Sequence, residues 1–148
     1  MDTRMRIAFH ESGHVVVAAL AGLPVQSAVI LAEADSAGKC YLGSSDLEPA
    51  ALAMIYLAGV AAVRRADPTE PAVLGLVDAV CAQELLRAPS DTAATLAQVV
   101  AIAAREADAL VALGWPAIER VAGRLARYGY ITAEEIQTLC APVAAREE

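Results

Sequence analysis

The chain has 148 residues, 57% of them hydrophobic and 20% charged, and a formal net charge of −7. That length suffices for one domain with its own buried core, and residues 1–148 read as a single domain. The acidity and the one lysine, Lys39, leave no basic patch, which makes nucleic acid and an anionic membrane surface poor candidate partners.

Few aromatics and abundant Ala and Val suit close-packed helices better than a large sheet. The most apolar region, 15–32, is interrupted by Gly22, Pro24, Gln26 and Ser27, so it does not read as a membrane span. No signal peptide is expected, because His10-Glu11 falls where its apolar region would lie. Cys40, Cys81 and Cys140 are odd in number and far apart, which predicts free thiols and a cytoplasmic protein.

A first helix is predicted from Asp2-Thr3, either of which can cap it, to about Ala21, where Gly22 and Pro24 stop it. Within it lies His10-Glu11-Ser12-Gly13-His14, an H-E-x-x-H run that contains both histidines of the chain. Positions i and i+4 share a helix face, so His10 and His14 can offer imidazole nitrogens to one ion. Glu11 follows the first of them, where a zinc peptidase keeps the carboxylate that serves as general base. The competing reading is a helix with two half-buried histidines. Gly13 weakens the helix and is useful where another backbone or a metal approaches that face.

Val25 to Leu31 is β-rich, Asp35 to Gly38 is turn chemistry, and Lys39 to Leu42 can return as a partner strand. In zinc peptidases an edge strand near the metal pairs with an extended substrate, which makes Val29, Ile30 and Leu31 candidate substrate-binding residues. Alternatively, the ribbon merely covers the core.

Ser44-Ser45-Asp46 opens the next helix, with Pro49 in its first turn and a body from Ala50 to Arg65. Its small residues, Ala58 to Ala62, suit close helix contact. Asp67 to Pro71 is a loop, and Ala72 to Leu86 reads as a helix weakened by Gly75. Pro89-Ser90-Asp91 starts a long helix to about Leu113, which Gly114-Trp115-Pro116 breaks. Ala117 to Arg127 and Thr132 to Leu139 form a final helical pair, the second opened by the capping box Thr132-x-x-Glu135. Residues from Ala144 onward are expected to fray. The fold class is therefore mainly α, with a small β-hairpin after the first helix.

A catalytic zinc takes three protein ligands and leaves a position for water. No third histidine exists, and Val17 stands where the longer H-E-x-x-H-x-x-G-x-x-H pattern has glycine. Glu70, Asp78, Glu84, Asp91 and Asp108 are the downstream candidates for the third ligand, with Cys40 as an outsider.

Ala8-Phe9-His10-Glu11-Ser12-Gly13-His14-Val15-Val16-Val17-Ala18 resembles the A-Y-H-E-A-G-H-A-V-V-A signature of the peptidase domain of FtsH-type ATP-dependent zinc metalloproteases. Weaker similarity runs through 24–30, through Ile55-Tyr56-Leu57-Ala58-Gly59 (the family's L-Y-G-G), through Ala88-Pro89-Ser90-Asp91 (its G-A-x-x-D) and through Thr132 to Ile136. The resemblance implies a helical, zincin-like peptidase domain holding Zn2+ on His10, His14 and Asp91, with Glu11 as the catalytic base. Without it, Asp91 reads as a stabiliser of its helix N-terminus together with Ser90. Arg87 replaces the family's glycine, and Ala62 and Val63 replace its acidic pair.

By the same resemblance the substrate is a peptide or unfolded protein, and the peptidase domains assemble as a homo-oligomer. No G-x-x-x-x-G-K frame surrounds Lys39, so unfolding a substrate would fall to a separate unfoldase or to another part of a longer protein. The competing function is a zinc-binding interaction or adaptor module that keeps the fold without turnover. A third is a metal-dependent hydrolase of a non-peptide amide, since the motif sets the nucleophile but not the substrate.

Overall fold

A computed structural model describes residues 1–30, 38–43, 46–69, 76–89 and 91–144. Among them are six helices and a three-stranded antiparallel sheet, a mainly α fold with a small β element.

Helix α1 (Thr3–Leu20) is the axis of the molecule. Asp2 caps it, its Oδ1 accepting the Met5 N–H at 2.7 Å. Gly22, at φ +80°, ends it: the Gly22 N–H reaches the Ala19 carbonyl and the Leu23 N–H the Ala18 carbonyl, a Schellman closure that needs the left-handed conformation glycine supplies. Buried residues run almost without a break from Ile7 to Ala18. A helix buried on every side belongs in the middle of a core, and α1 packs against α2 (Pro49–Ala66), α5 (Trp115–Tyr128), strands β1 (Val25–Ile30) and β2 (Gly38–Leu42), and, less closely, α4 (Ala93–Leu113) and α6 (Ala133–Ala144).

The sheet order is β2-β1-β3, with β3 (Tyr130–Thr132) adding a strand to the expected hairpin. Gly129, at φ +77°, ends α5 and turns the chain into β3, and the Gly129 carbonyl accepts the Ile30 N–H at 2.8 Å. Strand β1 is thereby central: Val29 faces Lys39 on one side and Tyr130 on the other. This corrects the expectation that Val29 and Ile30 lie on an edge open to substrate; neighbouring strands flank them on both sides. Leu31 lies outside the described residues.

Several boundaries shift for local reasons. Helix α2 begins at Pro49 rather than at Ser44-Ser45-Asp46, with proline in the first turn, where its missing N–H costs nothing. Helix α3 is described over Leu76–Leu86; Ala72, its expected start, and Gly75 lie outside the described residues. Helix α4 is capped by Thr92, whose Oγ1 accepts the Thr95 N–H at 3.1 Å, so Asp91 is not the cap; Ser90 lies outside the described residues. Helix α5 already starts at Trp115, because Pro116 is also tolerated in a first turn. The capping box before α6 forms as expected: Thr132 Oγ1 accepts the Glu135 N–H at 3.2 Å and Glu135 Oε1 accepts the Thr132 N–H at 3.4 Å.

Among the described helices, α2 alone is long and apolar enough to cross a bilayer by length and composition. Here its Ala53, Ile55, Ala58, Ala61 and Ala62 are buried, and the helix packs on α1, α3 and α4.

Candidate metal centre

The H-E-x-x-H turn of α1 lies under α2. Gly13 permits this approach: a side chain there would run into the Ala58 carbonyl and, at 2.9 Å, into the Ala62 Cβ. Of the two uses open to this glycine, backbone approach is the one observed. Ser12 is fully buried and satisfied by donating to the Ala8 carbonyl at 2.6 Å. His10, Glu11 and His14 are buried at 7%, 5% and 8% exposure, unusual for three polar side chains on one helix.

The two imidazoles meet edge to face, with ring centroids 4.7 Å apart. Their Nε2 atoms are 3.1 Å apart, and one oxygen of Asp78, from α3, lies 2.9 Å from His10 Nε2 and 3.1 Å from His14 Nε2. His14 Nδ1 is 2.7 Å from the Ile55 carbonyl oxygen. A carbonyl only accepts, so Nδ1 carries the proton, and in the neutral ring the Nε2 lone pair points at Asp78 and His10. Two nitrogens and a carboxylate oxygen thus converge on one point, where either an imidazole proton or a metal ion satisfies them.

The donor set passes the test of fit for a metal. Tetrahedral bonds of about 2.0–2.1 Å to nitrogen and oxygen place donors about 3.3 Å apart, a few tenths beyond the separations here. Fixing a ligating histidine by its second N–H on a carbonyl is the usual outer-sphere arrangement, and Ile55 supplies it. His10, His14 and Asp78 can therefore hold a metal ion. His10 Nδ1 is buried without a hydrogen-bond partner among the described residues.

The charges respond to this crowding. Burial opposes the charged Asp78 carboxylate, yet hydrogen bonds from His10 and His14 outweigh it and hold that carboxyl well below the usual range. Burial likewise opposes the charged His14 ring, but Asp78 and then the Glu11 charge prevail and raise its pKa. Glu11 goes the other way: burial pushes its carboxyl up, and the two histidines only partly restrain it. Burial, and then the Glu11 charge, push the Cys40 thiol up, and Cys40 is not among the grouped donors.

No protein-family model and no curated protein matches this chain. The site must therefore be judged by its own geometry.

Of the expected site residues, the structure brings His10, Glu11 and His14 together. Asp91 is not among the grouped donors: its Oδ2 accepts the Ala88 N–H at 2.7 Å in the turn before α4, and Asp78 takes the third place. The signal for Asp78 was its setting, a lone carboxylate inside the apolar run Leu76-Val77-Asp78-Ala79-Val80-Cys81-Ala82. A charge placed in such a run needs a partner or an ion.

Glu11 lies between the metal group and the start of β2. A side chain at Gly38 would come within 2.6 Å of Glu11 Cγ and 2.8 Å of Glu11 Oε1. The glycine thus lets the strand rest directly on the carboxylate.

Proposed function

We propose that the protein is a zinc-dependent metallopeptidase of FtsH-like type that hydrolyses peptide bonds with Glu11 as general base. One observation carries the reading: His10 Nε2, His14 Nε2 and an Asp78 oxygen converge within 3.1 Å of one another, on the helix turn that also presents a buried glutamate. Three protein donors, rather than four cysteine-rich ones, are the pattern of a catalytic rather than a structural zinc site.

His10, His14 and Asp78 would hold the ion. A bound zinc would supply the Lewis acidity that polarises the scissile carbonyl and acidifies a water. Glu11 accepts that water's proton on its carboxylate and delivers it to the leaving nitrogen. His14 is held in one orientation by Ile55 throughout.

An extended substrate, a flexible peptide or unfolded protein, would lie along the outer side of β2. Among the described residues, β2 pairs only with β1, and its first residue, Gly38, touches Glu11. Folded substrates would need a separate unfoldase.

The deciding assay is cleavage of unfolded fluorescent casein by zinc-loaded protein, with Glu11→Gln alongside. Cleavage by the wild type alone, with equal zinc in both proteins, supports the reading; an active Glu11→Gln protein overturns the role of Glu11. The burial of Glu11 at 5% exposure favours one competitor, a metal-binding interaction module without turnover. Zinc binding with no cleavage by either protein would select it.

A further inference from the structure

We infer that Gly59 is a determinant of the metal centre, a position on α2 that must lack a side chain for His10 and His14 to present their Nε2 atoms to an ion. This rests on the metal reading of the His10, His14 and Asp78 group. A Cβ at Gly59 would stand 2.7 Å from His14 Nε2 and 2.8 Å from both Nε2 and Cε1 of His10. These are its three nearest neighbours, and all belong to the donor edges of the two rings.

The backbone at this position does not ask for glycine. It lies inside α2, where glycine is unfavourable relative to alanine, and its φ is not positive. Gly13, on the facing helix, differs in kind: its missing side chain makes room for the α2 backbone and Ala62, not for the rings.

The rings have little freedom to give way. His14 is tied through Nδ1 to the Ile55 carbonyl, one helical turn before Gly59 on the same face of α2. That face therefore does two things: Ile55 orients the ring, and Gly59 keeps the space in front of its free nitrogen clear. His10, packed edge to face on His14 and buried, is held by its neighbour. A methyl group at 59 would press on both donor nitrogens and displace an ion or its open coordination position.

The test is zinc affinity, measured by competition with a chromophoric chelator, for the wild type, Gly59→Ala and Gly13→Ala, together with the melting temperature of each metal-free protein. Gly59→Ala should weaken zinc binding by roughly ten- to a hundredfold, the range for disturbed metal surroundings. Its metal-free form should keep its helical content. Gly13→Ala should also lower the metal-free melting temperature, through the α2 backbone and Ala62 rather than the rings. Wild-type affinity in Gly59→Ala overturns the inference while leaving the metal reading intact. A wild type that binds no zinc overturns both. If Gly59→Ala does not fold, Gly59→Ala combined with both His10→Ala and His14→Ala decides: recovered folding places the clash on the rings, as inferred, and continued failure places it elsewhere and overturns the inference.

Discussion

Asp78 and Asp91 are both carboxylates near helix N-termini, yet their surroundings assign them opposite duties. Asp78 shares one oxygen between two imidazole nitrogens, while Asp91 closes a turn by accepting the Ala88 N–H. Asp78→Ala should therefore reduce zinc stoichiometry sharply, because a pair of histidines alone is a weak site. Asp91→Ala should bind zinc like the wild type. Metal analysis after dialysis against one equivalent of zinc separates the two, and loss of zinc in Asp91→Ala alone would return the third ligand to the position implied by resemblance. The shared face of His10 and His14 was legible in the sequence because helical spacing alone places i and i+4 together. The third donor was not, because it comes from another helix and only tertiary packing selects among several carboxylates. Resemblance pointed to Asp91; the apolar setting of Asp78 was the better physical signal.

Among the elements, α3 is the least anchored of those that build the site. Leu76, Val77 and Val80 are 66%, 75% and 57% exposed, and Ala82 is its one buried residue. Asp78 is its polar tie to α1, so an ion held by His10, His14 and Asp78 would pin α3 across the helix pair. Elements with few buried contacts open at low free-energy cost, and a ligand that bridges them closes the opening. Hydrogen exchange should accordingly slow on zinc addition, most strongly in 76–86, and Asp78→Ala should abolish the effect. Equal slowing throughout α1 and α5 with none in α3 would contradict it. The exposed apolar face of α3 also explains why its pattern was poorly informative: it shows no apolar stripe that distinguishes inside from outside. The third strand was illegible for a related reason. Tyr130–Thr132 is too short to show a period of two, and its pairing with 27–29 joins segments a hundred residues apart in sequence. The capping box at Thr132 is local chemistry and was readable.

For the molecule as a whole, the question is whether the metal makes the fold or the fold makes the site. Val15, Val16, Val17, Ile118, Val121, Leu125 and Ile131 are fully buried, and they join α1 to α5 and the sheet without involving the donor group. Each such side chain contributes about 1.5–3 kcal/mol on burial. Phe9 stacks on Trp115 at 5.5 Å, and Arg65 lies over the same ring, closing α1, α5 and α2 around one aromatic. Such a core stands without an ion, unlike a small zinc-dependent module that is unfolded when the metal is removed. Chelation should then leave the far-ultraviolet circular dichroism unchanged while lowering Tm. With free zinc at a hundred times its Kd, the lost stabilisation is about 2.7 kcal/mol. For a chain of this length that corresponds to roughly 5–10 °C. Complete unfolding on chelation would make the site structural, and an unchanged Tm would mean that no ion had been bound. An intermediate fall, absent in Asp78→Ala, is the signature of a preformed fold that offers its metal an open place.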